Sequence, residues 1–212
     1  MLKKPPLWSQ TRNAGFTLVE LLVTIGIVAI LVALVVAVAR PQLEAAKATK
    51  CVGNLRQIGV EFQGYLANNN NVLPQRYYGL VNGKRWGYTD LVMEYGGNDG
   101  RIFKCPSQPN NDYPEEPSYG MNWYYDNVPL SVVSAPSRTI MLAETLGPTG
   151  TGSRRADRDG VTPGELDMER HSGKANYLFF DGHVERLEWD STVEPVDMWG
   201  ADAGNHQPTG EG

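Results

Sequence analysis

Gly15-Phe16-Thr17-Leu18-Val19-Glu20-Leu21-Leu22-Val23-Thr24-Ile25-Gly26-Ile27-Val28-Ala29 opens a run that stays apolar to Ala39, and Glu20 is its only ionisable residue. Coiled as a helix, residues 16–39 would measure about 36 Å at 1.5 Å per residue. A bilayer's hydrocarbon core is about 30 Å thick, so the segment is long enough to cross it. The fifteen residues before it carry Lys3, Lys4 and Arg12 and no acid. Cations on that flank place it on the cytoplasmic side.

Two plain readings of such a segment are a secretory signal peptide and a simple membrane anchor. A signal peptide has its small-residue cleavage site after the apolar stretch, whereas here the small residue, Gly15, comes before it. A simple anchor has no use for Glu20. A carboxylate inside a span costs about 2.5–3.5 kcal/mol on insertion scales, which marks Glu20 as functional.

Gly15, Phe16 and Glu20 in this spacing resemble the cleavage and methylation motif of type IV prepilins and type II secretion pseudopilins. The resemblance implies that a prepilin peptidase cuts between Gly15 and Phe16 and that Phe16 becomes the N-methylated terminus. It also implies that Glu20, fifth in the mature chain, pairs with the free amino terminus of a neighbouring subunit. A buried carboxylate does need a cationic partner, and a filament neighbour offers one.

Beyond Arg40 the composition changes. No later segment approaches a second span. Removing the three leader cations from 19 leaves 16 against 24 acidic residues, a net charge of −8. An acidic head argues against nucleic acid as a partner, because phosphates are neutralised by clustered Lys and Arg. The one basic cluster, Arg154, Arg155 and Arg158, is interleaved with Asp157 and Asp159 and reads as a solvated loop.

Residues 42–48 favour helix. Leu55, Ile58, Phe62, Tyr65 and Leu66 then recur at helical spacing. A single helix is expected to continue to about Leu66, bent at Pro41 and weakened by Gly53, Gly59 and Gly64. Residues 68–71 read as a loop, 88–95 as a short helix, 101–104 as a short strand and 138–144 as a longer one. Two β-rich runs flank Asp181-Gly182, the signal for a hairpin with a type I′ turn. The expected fold is α+β, a long N-terminal helix packed on a small antiparallel sheet as in type IV pilins. Its expected parts are a leader over residues 1–15, an assembly helix over 16–39, a head over 40–195 and a flexible tail over 196–212.

His171, nine residues, then Asp181-Gly182 resembles the H-x9-D-G signature of a bacterial group of pilin-like proteins. Segments around Cys51, Phe103 to Pro106, Ser118 to Asn122 and Thr139 to Glu144 resemble that group too. Cys51 and Cys105 fit no zinc spacing and allow one disulfide in an exported head. His171, Asp181 and His183 are candidate ligands for a divalent transition metal. The plainer alternative makes His171 a cross-hairpin hydrogen-bonding group, Asp181 a turn residue and His183 a strand residue. Calcium is a second candidate, by resemblance to major pseudopilins, with Asp157, Asp159 and Glu165 in a Gly-rich loop. No nucleophile elbow, His-Glu-x-x-His or phosphate loop is present, so no enzyme is expected.

The expected role is structural. The partners are prepilin peptidase, copies of the chain or other pilins, and inner-membrane assembly machinery, with the head on the periplasmic or outer side. A competing reading is an anchored binding module, with aromatics between Tyr113 and Tyr125 recognising carbohydrate or an exported substrate. A weaker one is an anchored enzyme using His171, Asp181 and His183.

Overall fold

The computed structural model describes residues 16–75, 77–81, 84–97, 99–108, 117–145, 155–156, 166–168 and 170–200. The chain divides into two units, residues 1–42 and 43–212.

In the first unit the described residues are helical from Leu18, the start of α1 (Leu18–Asn68). Every side chain from Phe16 to Leu43 is exposed. A helix apolar all round is stable in hydrocarbon, where its backbone groups are satisfied internally. It is long and apolar enough to cross a membrane. Pro41 lies inside α1 beside the boundary between the units.

In the second unit α1 acquires a buried stripe: Ala48, Cys51, Leu55, Ile58, Phe62 and Leu66. The helix runs past the expected weak points because two of the glycines admit neighbours. A Cβ on Gly59 would stand 3.3 Å from Leu178 Cδ1, and one on Gly64 would stand 3.0 Å from Tyr95 Cβ. Close packing on that face offsets the lower helix propensity of glycine. Asn70 and Asn71 then take φ of 54° and 55°, a region asparagine tolerates, and end the helix in a tight turn.

A small antiparallel pair, β1 (Tyr77–Val81) and β2 (Lys84–Gly87), leads into α2 (Tyr88–Met93). Of residues 101–104, expected as a strand, the first three instead belong to a 3-10 turn over Gly100–Phe103, and only Lys104 is extended. Asp99 caps that turn by accepting the Arg101 N–H at 3.0 Å, which pulls the chain out of extended conformation.

The main sheet contains β3 (Tyr119–Asn122), β4 (Ile140–Glu144), β5 (Arg155–Ala156), β6 (Ala175–Phe179) and β7 (Val184–Leu187) in the order β5-β3-β4-β6-β7. Four strands form the antiparallel body, and the two-residue β5 pairs in parallel at one edge. The fold is α+β, a long apolar helix followed by a small antiparallel sheet, as in type IV pilins.

β4 and β6 are buried at every position because both faces of the sheet are covered. On one face Met121, Leu142 and Leu178 pack with the α1 stripe. On the other, Ile140, Ala143, Tyr177 and Phe179 pack with Leu166 and Trp199, beside the short α3 (Trp189–Val193). Residues 196–200, expected to begin a flexible tail, are therefore anchored. Trp199 is fully buried, its indole N–H donates to Thr192 Oγ1, and Asn122 Nδ2 donates to its carbonyl at 3.1 Å. Residues 201–212 lie outside the described residues.

The β6–β7 hairpin forms with its pairing intact, but the turn is not type I′. Only Gly182 has positive φ, at 91°. Gly182 N–H donates to Phe179 O and Phe179 N–H to His183 O, both at 3.0 Å. This is a three-residue loop with a left-handed glycine bulge, and it needs only one such residue.

Candidate functional site

Two regions carry candidate chemistry. At the start of α1, the Thr17 backbone N–H donates to Glu20 Oε2 at 2.9 Å, and the Thr17 hydroxyl donates to the same oxygen at 2.8 Å. The Glu20 N–H returns a bond to Thr17 Oγ1 at 3.2 Å. This is a capping box, which satisfies donors that the first turn of a helix leaves open. Phe16 is exposed just before it, and Gly15 lies outside the described residues. The arrangement sets the one carboxylate of the apolar unit at the helix start, four residues after Phe16.

The family model for the prokaryotic N-terminal methylation motif matches residues 10–36, which hold Gly15, Phe16, Glu20 and most of the apolar run. That N-terminal segment is type IV prepilin-like. No curated protein and no solved structure shows a significant match. The matched motif belongs to precursors processed by prepilin peptidase, and with the apolar helix it accords with membrane anchoring.

The second region is buried in the head. Glu144, at the end of β4, is 1% exposed. Its Oε2 accepts the Asn176 backbone N–H at 2.9 Å, and its Oε1 accepts Asn176 Nδ2 at 3.0 Å. His171 Nε2 stands 2.8 Å from the same Oε1 and 3.6 Å from Cys105 Sγ. Cys105 is joined to Cys51 of α1 in a disulfide with Cα atoms 5.3 Å apart. In the chain-entropy model, closing a loop of that length contributes about 4 kcal/mol.

Arg170 completes the cluster with its own buried pair. Its Nε donates to Asp167 Oδ2 at 2.7 Å, and its other nitrogens donate to the carbonyls of Ser118 and Thr145. Ser118 Oγ accepts the Cys105 N–H at 2.9 Å. Burial and the negative charge of Glu144 push the nearby Tyr119 and Tyr177 hydroxyls well above the usual tyrosine range.

The three candidate metal ligands are not brought together. His171 is engaged with Glu144, which takes its other bonds from Asn176 near the start of β6. Asp181 lies five residues further along, past the end of β6 at Phe179. There it accepts from the His183 N–H at 3.1 Å and pairs with the His183 ring on the exposed turn. The H-x9-D-G spacing thus marks the two ends of β6, with the histidine at the turn leading in and Asp-Gly at the turn leading out. Asp157, Asp159 and Glu165, the calcium candidates, lie outside the described residues.

The aromatic segment contributes to the core. Tyr119 and Tyr125 are buried, and Tyr125 packs edge-on to Phe180 with ring centroids 4.9 Å apart. Tyr113 lies outside the described residues. Glu144 and Asn176 carried no motif of their own. Cys51, Cys105 and Glu144 meet here around His171, with Ser118 bonded to the Cys105 backbone.

Proposed function

We propose that the chain is a structural subunit, cut between Gly15 and Phe16, methylated on Phe16 and assembled through α1 into a type IV pilus or a type II secretion pseudopilus. Its head faces the periplasm or the exterior, and its partners are prepilin peptidase, other pilin-like subunits and the inner-membrane assembly machinery. The observation carrying this reading is Glu20, the single carboxylate in the exposed apolar stretch over residues 16–39, four residues after Phe16. In hydrocarbon such a carboxylate needs a cation, and the liberated amino group of a neighbouring Phe16 supplies one.

Cutting before the apolar run leaves the whole helix on the mature protein, so the segment that anchors the free subunit also packs filament neighbours. Nothing in that role calls for a catalytic group in the head. Its buried polar cluster instead ties α1 to the sheet through the disulfide, His171 and Glu144. Mass spectrometry of the chain produced with a prepilin peptidase tests the processing step. The expected N-terminal peptide begins with methylated Phe16. An intact leader, or a terminus beyond Ala39, would remove the assignment.

A further inference from the structure

Cys51, Cys105, Glu144 and His171 present Sγ, Sγ, a carboxylate oxygen and Nε2 within 4.8 Å of one another, and all four residues are buried. His171 Nε2 faces two acceptors at once, Glu144 Oε1 at 2.8 Å and Cys105 Sγ at 3.6 Å. A catalytic relay would put the carboxylate on one ring nitrogen and the sulfur on the other. Here both face the same nitrogen, so the groups converge on a point between them.

From these distances we infer that, with its two cysteines as thiols, the head binds one zinc-class divalent ion through Cys51, Cys105, His171 and Glu144. A tetrahedral site with Zn–S of about 2.3 Å and Zn–N of about 2.0 Å has an S···N edge of about 3.6 Å. The Cys105–His171 spacing already has that value. Glu144 is held on its far oxygen by the Asn176 N–H and on Oε1 by Asn176 Nδ2 at 3.0 Å, and that same Oε1 faces His171. Such outer bonds orient ligands and raise affinity. The two sulfurs must part, and the 2.8 Å contact between His171 and Glu144 must open to the N···O edge of about 3.3 Å.

The chemistry balances without an added oxidant. A newly made chain carries both cysteines as thiols. Binding displaces two thiol protons to solvent and leaves two thiolates, a neutral imidazole and a carboxylate on the ion. Forming the disulfide uses the same two sulfurs, so the oxidised head and the metal-bound head exclude one another. This inference stands on the head alone and does not depend on filament assembly.

Cobalt(II) titration of the full chain in detergent, reduced with a phosphine, tests it. One equivalent should bind with thiolate-to-cobalt charge-transfer absorption, and zinc should displace it. The oxidised chain should bind none. Cys105→Ser should abolish the charge-transfer signal, while His171→Gln and Glu144→Gln should each weaken binding by about tenfold or more. If reduction unfolds the apo chain, added zinc should restore its circular dichroism. Absence of stoichiometric binding to the reduced chain, or unchanged affinity in both the His171→Gln and Glu144→Gln variants, overturns the site.

Discussion

Glu61 lies on the buried stripe of α1 but is a carboxylate, 1% exposed, set against the backbone of Gly96. A Cβ on Gly96 would stand 1.7 Å from Glu61 Oε1, so any side chain there must displace the Glu61 carboxylate. Burial, and secondly the negative charge of Asp99, pushes the Glu61 carboxyl up to about 7, against an opposing hydrogen bond from Gln57. The folded chain therefore holds the proton more tightly than the unfolded chain does. Its stability is unaffected by this group below about pH 4.5, falls as pH rises towards 7, and is lowest above that. Glu61→Gln keeps the shape and removes the charge. It should match the parent at pH 4 and be more stable at pH 8 by about 1–3 kcal/mol. Chemical denaturation at the two pH values measures this, and parallel profiles would show that Glu61 is not held neutral.

Among the elements, those written in local periodicity were legible. The α1 stripe, the strand at β4 and the β6–β7 pairing follow from spacing alone, because helix and strand periods are set by neighbours in sequence. Elsewhere a single side chain or a distant contact decided the outcome. Asp99 turned residues 100–103 into a 3-10 turn, and one left-handed glycine sufficed where the Asp-Gly pair suggested two. The Glu144–His171 pair spans 27 positions, and no local pattern announces it. Trp199 is the clearest case, since its surroundings are rich in Pro, Asp and Gly and read as a loose end. It covers the second face of the sheet, stacked edge-on to Tyr177 with ring centroids 6.2 Å apart. Trp199→Ala should cost about 3–5 kcal/mol, as other buried tryptophan truncations do. Truncation after Val193 should be as damaging. Thermal unfolding of the two variants checks both, and a near-parental midpoint would mean the second face needs no cover.

At the scale of the whole molecule, an acidic head with two covered sheet faces shares a chain with a helix that buries none of its side chains from Phe16 to Leu43. Lipid can cover that apolar surface, so exposure alone does not demand assembly. In the function proposed above Glu20 separates an anchor from a subunit, and its capping box offers a rival account in which it merely starts the helix. The two accounts differ in what they need from the side chain. A cap needs an acceptor, which glutamine also provides, and its loss costs about 1 kcal/mol. Pairing with a neighbour's amino group needs the negative charge. Glu20→Ala and Glu20→Gln should therefore both insert and be processed, and both should fail to form filaments or pseudopili. Membrane fractionation, N-terminal mass spectrometry and shearing of surface filaments separate those three steps. Should the Gln variant assemble like the parent while the Ala variant does not, the cap is the function of Glu20. The pairing of charge across subunits would then have to be abandoned.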